Sequence, residues 1–287
     1  MKYDLVDRRC VVTGASSGIG KEIARNLAYF GATVVLACRD RDRGSAALAE
    51  IVQDSGNERV TMLQLDVSSR ASIRAFVRNV TAGGAPVHTL VNNAAILQRK
   101  RTQSVDGFES TWATNVLGYF TLSNLLLPSM RRVAPARVIH VSSTQAGGLE
   151  LGDVQFTERP YDGLQAYRQS KQADRMLAWR LAEICRREMI SVHACHPGVA
   201  DTGLLGPAQT GWAGWVGRLL GAAARSALKS PSEAAVTPTY VAAAPEVTEQ
   251  TARFWIDQTP QPCRFANDTD GMAELWRTCV DQAQCDA

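Results

Sequence analysis

Arg9-Cys10-Val11-Val12-Thr13-Gly14-Ala15-Ser16-Ser17-Gly18-Ile19-Gly20 is a short apolar run that leads straight into a glycine-rich turn. Residues Arg9 to Val12 read as a buried first strand. Behind the turn, Ile19, Ile23, Leu27 and Phe30 recur at helical spacing, and Gly31 stands where a helix stop is expected. The unit is therefore strand, turn, helix. In such a unit Gly14 permits the tight turn, Gly18 lets backbone approach a phosphate closely, and Gly20 lets the helix pack near the sheet. The helix N-terminus then faces the anion. The spacing differs from Gly-x-Gly-x-x-Gly, so that fingerprint is not the one matched.

Outward from this unit, Thr33-Val34-Val35-Leu36-Ala37 reads as a second strand ending at Cys38-Arg39. In a dinucleotide fold an acid at this strand end bonds the ribose 2′-hydroxyl of NAD, whereas an arginine pairs with the 2′-phosphate of NADP. Cys38 replaces the acid and Arg39 follows, which favours NADP(H). Asp40 is the residue that opposes this preference, and a solvated arginine in the run Arg39-Asp40-Arg41-Asp42-Arg43 is the competing reading. Val60 to Val67 reads as a third strand ending in Asp66, and Leu90 to Ala95 as a fourth ending in Asn92 and Asn93. Ligands bind at such strand ends in open α/β sheets. Asp66 is a candidate acceptor for an adenine amino group, and Asn93 a candidate for fixing backbone beside a cofactor. A loop cap is the alternative for either.

Tyr167 and Lys171, in Tyr-Arg-Gln-Ser-Lys, are four apart and share one face if the segment is helical. A free phenol titrates at about pH 10, and a cation beside it favours the ionised form. A pair so placed suits proton transfer to or from an oxygen. Tyr161 is followed four residues later by Gln165 and lacks the cation.

Taken together, these residues resemble the short-chain dehydrogenase/reductase family in its single-domain form, from about Asp4 to about Asp257. Thr13 to Gly20 resembles its Thr-Gly-x-x-x-Gly-x-Gly turn, with Gly14, Ser16, Ser17, Gly18, Ile19 and Gly20 around the cofactor. Asp66-Val67 resembles its adenine-ring acid, and Asn92-Asn93-Ala94-Ala95 its Asn-Asn-Ala-Gly, with Ala95 departing from glycine. Asn115 resembles the asparagine that holds a helix kink and a relay water near the lysine. Val141-Ser142-Ser143 resembles the strand whose second serine is catalytic, and Tyr167-x-x-x-Lys171 the family signature. His196-Pro197-Gly198-Val199-Ala200-Asp201-Thr202 resembles the segment bordering the nicotinamide, with Pro197, Gly198, Val199 and Thr202 as its contacts.

The resemblance implies an α/β fold, a Rossmann-type doubly wound parallel sheet with helices on both faces, and one domain over 1–287. It implies NADP(H)-dependent interconversion of a carbonyl and an alcohol without a metal. Tyr167 would transfer the proton, Ser143 would bond the same oxygen, Lys171 would hold the nicotinamide ribose, and Asn115 would link Lys171 to solvent. Two other functions fit the residues: a non-catalytic NADP(H)-sensing interaction protein, and a reductase of an activated C=C bond. Intact Tyr167 and Lys171 argue against the sensor, and product analysis separates the second.

Composition sets the limits. An apolar content of 45% in 287 residues supports one large core. A net charge of +3, without an aromatic and basic platform, argues against nucleic acid. Seven cysteines without metal-like spacing suggest a reducing compartment; Cys10, Cys38 and Cys195 read as packing, Cys279 and Cys285 as exposed. The charged N-terminus and the absence of a long apolar run lead to the expectation of a cytoplasmic protein without stable membrane insertion.

The stretch between Ser143 and Tyr167 is longer than usual in the family and resembles the retinol-dehydrogenase-like branch. Glycines beside Trp212 and Trp215 suggest a substrate lid over 203–230, with a buried surface helix as the alternative, and lean towards a lipophilic substrate. Relatives commonly pair through the helices bearing Asn115 and Tyr167, which suggests a homodimer or tetramer. Residues 260–287 read as a C-terminal extension that covers the pocket or a partner.

Overall fold

Cys10, Val11 and Val12 are completely buried, as an unbroken apolar run between two layers of helices requires. They form β1 (Arg9–Thr13) in the computed structural model, which describes residues 3–198 and 229–284. β1 pairs in parallel with β2 (Thr33–Cys38) on one side and β4 (Thr89–Asn92) on the other. The remaining strands are β3 (Val60–Gln64), β5 (Ala136–Val141), β6 (Ile190–His196), β7 (Arg253–Ile256) and β8 (Thr259–Gln261). Their order is β3-β2-β1-β4-β5-β6-β7-β8, all parallel except the antiparallel edge strand β8. Strand order reverses between β1 and β4, the crevice where ligands bind in such sheets. Pro260 lies on that edge strand, where a missing N–H costs no ladder bond.

Apolar residues cover both faces of the sheet. On one, Ile23 and Leu27 of α1 (Gly18–Tyr29), Ile51 of α2 (Arg41–Ser55) and Val241 pack with Val12 and Leu36. On the other, Phe76 of α3 (Arg70–Val80) meets α5 (Gly118–Arg131) and α6 (Gly163–Ile184) through Phe120, Met176 and Leu177. The expected doubly wound single domain is what forms.

Three boundaries differ from expectation. β3 stops at Gln64, β4 at Asn92 and β5 at Val141, so Asp66, Asn93 and Ser143 all lie in loops past the strand ends. Side-chain bonds to local backbone compete with the ladder there: Asp66 Oδ1 accepts from Ser68 N–H at 2.9 Å and turns the chain.

The segment after Pro260 is part of the core. Helix α7 (Thr269–Ala283) buries Leu275 and Trp276, and Trp276 meets the Phe120 ring edge-on at 4.8 Å. Trp112 Nε1 donates to Gln282 Oε1 at 2.8 Å. Cys279, expected at the surface, is fully buried because it lies on this inward face; Cys285 lies outside the described residues. Among the described residues no helix is long and apolar enough to cross a membrane.

Candidate active site

The turn after β1 comes first. Gly14 has φ +66°, a left-handed conformation that side chains rarely adopt, and its N–H donates to Ala37 O at 2.9 Å. At Gly20 a Cβ would lie 2.5 Å from both Gly14 O and Asn93 Nδ2, so only glycine lets α1 sit this close. At Gly18 a Cβ would meet nothing within 4 Å. The chain thus leaves open room beside the first turn of α1, whose N–H groups and positive dipole end suit a phosphate.

Asn93 ties β4 to this turn. Its N–H donates to Thr13 Oγ1 at 2.9 Å and its Nδ2 to Thr13 O at 2.9 Å, while Ala94 N–H donates to Thr13 Oγ1 at 3.0 Å. The amide therefore fixes the crevice floor. Asp66 Oδ1 accepts from both the N–H and the Oγ of Ser68, so half of its carboxylate is held by the loop. Val67 beside it is buried.

At the end of β2, Cys38 is buried and its thiol is pushed up to about 11 by that burial, so no negative group stands there. Arg39 is exposed. Asp40 is the N-cap of α2, its Oδ1 accepting from Arg43 N–H at 2.9 Å. The acid that opposed the NADP preference is thus turned into its own helix. Arg43, not among the residues expected at the site, donates from its guanidinium to Ser17 Oγ at 3.1 Å, placing a second cation against the glycine turn. Its four-residue spacing from Arg39 was the available signal.

Asn115 sits in a π turn, Ala113–Leu117, between α4 (Ser110–Trp112) and α5. Such turns interrupt helices mostly at functional sites. The side chain is completely buried: Oδ1 accepts from Ile96 N–H at 2.9 Å, and Nδ2 donates to Ile96 O at 3.0 Å and to Ser170 Oγ at 2.9 Å. Both amide hydrogens are therefore taken, and a relay water would have to use another group.

Helix α6 begins at the Asp162 cap, whose carboxylate accepts from Leu164 N–H at 2.8 Å. It brings Tyr167 and Lys171 to the end of β5. Lys171 is buried, with Nζ 5.7 Å from the Tyr167 ring centroid and 5.2 Å from that of Tyr119. The ammonium donates to Val141 O at 3.0 Å and to Asp174 Oδ2 at 2.8 Å. Of the two serines, Ser142 donates its hydroxyl to Lys171 O at 2.9 Å, whereas Ser143 Oγ accepts from Gln145 N–H at 3.1 Å and keeps its proton for another partner. Gly198, after buried Pro197, has φ +96° and packs on Lys229, which pairs with Asp257 at 2.7 Å. Val199, Thr202, Trp212 and Trp215 lie outside the described residues.

The loop from β5 to α6 is internally braced. Asp153 Oδ1 accepts from Thr157 N–H at 2.7 Å and its Oδ2 from Arg159 N–H at 3.1 Å. The Arg159 guanidinium lies 4.1 Å from the Phe156 ring centroid and donates to Gln169 Oε1 at 2.7 Å.

The glycine turn, Asn93, Ser143, Tyr167 and Lys171 thus lie at one edge of a parallel sheet. The short chain dehydrogenase family model matches residues 8–211. The chain belongs to that family. Retinol dehydrogenase 13 of Mus musculus is 35% identical over 280 residues, covering 96% of this chain and 83% of that protein. Polyprenol dehydrogenase of Mus musculus is 37% identical over 282 residues, covering 94% and 82%. Among solved structures, an uncharacterized protein from Mycobacterium paratuberculosis has a TM-score of 0.77 at 28% identity, covering 99% of this chain and 96% of that one. A short chain dehydrogenase from Burkholderia cenocepacia J2315 in complex with NADP has a TM-score of 0.69 at 25% identity, covering 87% and 96%. As a short-chain dehydrogenase of the retinol-dehydrogenase-like branch, the protein is an oxidoreductase acting on CH–OH and C=O groups.

Proposed function

We propose that this chain interconverts a lipophilic carbonyl and its alcohol with NADP(H). The observation that carries the reading is Lys171 Nζ held 5.7 Å from the Tyr167 ring at the same sheet edge as the open glycine turn. NADP(H), when bound, supplies or accepts the hydride. The first turn of α1 receives its pyrophosphate, Arg39 and Arg43 its 2′-phosphate, and Lys171 its nicotinamide ribose. Asp66, Ala94, Pro197 and Gly198 contact the remainder.

Ser143 donates its hydroxyl hydrogen to the substrate oxygen and orients it. Tyr167 gives its phenolic proton to that oxygen in reduction and takes it back in oxidation. Lys171 adds positive charge beside the phenol, favouring the charge that develops there. Asn115 keeps the Ile96 loop and Ser170 in place, and Ser170 Oγ in turn donates to Tyr167 O at 2.7 Å. The names of the relatives, dehydrogenases of retinol and of polyprenol, support a long apolar substrate.

The test follows NADPH and NADH oxidation in parallel against retinoid, isoprenoid and short aliphatic aldehydes, with Tyr167→Phe as the blank. Turnover that prefers NADPH and apolar aldehydes and is lost in the blank is the expected result. Comparable turnover in Tyr167→Phe would sink the mechanism.

A further inference from the structure

One turn beyond Lys171, α6 carries two consecutive buried charges, Asp174 and Arg175. Neither faces water, and neither belongs to the constellation described above. Burial of ionised groups is costly unless they are paired and hydrogen-bonded, so their partners are informative.

Asp174 is completely buried and takes the Lys171 ammonium on Oδ2 at 2.8 Å. Its other oxygen, Oδ1, is buried with no hydrogen-bond partner among the described residues, so the hydrogen bond that holds the carboxylate there is the one to Lys171. Val141 O takes a second ammonium hydrogen at 3.0 Å. Two of three donors are thus fixed on the floor of the site, and tetrahedral geometry then determines where the third points. Arg175 does the corresponding work on Ser143. Its guanidinium donates to the Ser143 carbonyl oxygen and lies 3.7 Å from the Phe254 ring centroid and 5.7 Å from that of Phe265. The backbone bearing the Ser143 hydroxyl is thereby clamped to α6, β7 and the loop after β8.

We propose that Asp174 and Arg175 are positioning residues of the active site, Asp174 setting the place of the Lys171 ammonium and Arg175 that of the Ser143 hydroxyl. The proposal rests on the Ser143, Tyr167 and Lys171 assignment made above. Adjacent residues of one helix then fix both partners of the tyrosine, so a shift of α6 moves them together.

The Asp174 arm carries a pH signature. Burial pushes the Asp174 carboxyl up to about 6, against the pull of Lys171 and Arg175 on the same helix. The groups facing it from other elements do not titrate in that range: burial holds His140 of β5 down to about 4 and pushes Tyr119 of α5 and Cys195 of β6 far up. Protonation of Asp174 on acidification releases Lys171.

The test measures NADP+ binding by tryptophan fluorescence, which needs no turnover, together with kcat. At pH 7.5, Asp174→Asn should weaken binding about tenfold through the loss of a charge-assisted anchor, as should Lys171→Met. At pH 5 the gap between wild type and Asp174→Asn should close. Arg175→Met, which keeps the apolar stem, should leave the dissociation constant within about twofold and lower kcat at least about tenfold; Arg175→Lys should recover part of that rate. If Asp174→Asn does not fold, Asp174→Ser is judged by the same criteria. Binding by a folded Asp174 variant within twofold of wild type at pH 7.5, or wild-type kcat in Arg175→Met, overturns the proposal. Turnover retained in Tyr167→Phe would instead overturn the assignment it rests on, while the binding readout would still report on Asp174.

Discussion

The side chain of Asn115 grips both polar backbone groups of Ile96, accepting its N–H at 2.9 Å and donating to its C=O at 3.0 Å. These residues are 19 apart in sequence, and the pairing anchors the loop after β4 to the π turn. Asn115→Ala would leave the Ile96 groups and Ser170 Oγ short of a partner. A loss of about 3 kcal/mol in stability is expected, since each orphaned buried group costs about 1–3 kcal/mol. Urea unfolding checks it, and a change under 0.5 kcal/mol would remove the anchoring role.

Cofactor preference follows from two arginines and one helix cap. Arg39→Ala and Arg43→Ala should each weaken NADPH binding by about tenfold or more, through loss of a charge-assisted contact, and change NADH little. Equal losses for both cofactors would refute the phosphate contact.

Asp40 gives the complementary result. Because its carboxylate caps α2, Asp40→Ala should cost about 1 kcal/mol of stability and leave the NADPH to NADH ratio unchanged. A ratio that rises several-fold would show the carboxylate facing the cofactor instead.

Acid should loosen the loop from β5 to α6. Burial alone would raise the Asp153 carboxyl, but hydrogen bonds from Thr157, Arg159 and Glu158 overcome it and hold it at about 2, below the ordinary 3.8. A depressed carboxyl contributes stability that is complete above the ordinary value and lost as pH falls towards the folded one. Melting temperature should therefore fall more steeply between pH 4 and pH 2 in wild type than in Asp153→Asn. Parallel curves would exclude this contribution.

Helix α7 bears on assembly. Trp276 on Phe120 and Gln282 on Trp112 place this helix over the face of α4 and α5, so pairing through that face would require its displacement. A monomer is the expected species in size-exclusion chromatography with light scattering, and a dimer that survives dilution would show pairing elsewhere.

The sequence by itself determined the layer architecture, the glycine turn and the Tyr167 and Lys171 pair, because each is written in short-range order. Strand runs, helical spacing and glycines with a required conformation are all local. The strand ends were less legible, since Asp66 and the residues around Asn93 bend the chain through contacts that compete with the ladder. Tertiary structure alone decided which charges face the site. Arg39 and Asp40 are neighbouring exposed charges of opposite sign, and the start of α2 takes only the second as its cap. Arg175 meets Phe254 across 79 positions and Trp112 meets Gln282 across 170, and no local pattern encodes such distances. Asp174 stands three residues from Lys171, as any solvated helix pair would. Only its burial between α6, β5 and α5 turns an ordinary spacing into a held charge, because removal from water makes the pairing strong and its absence costly.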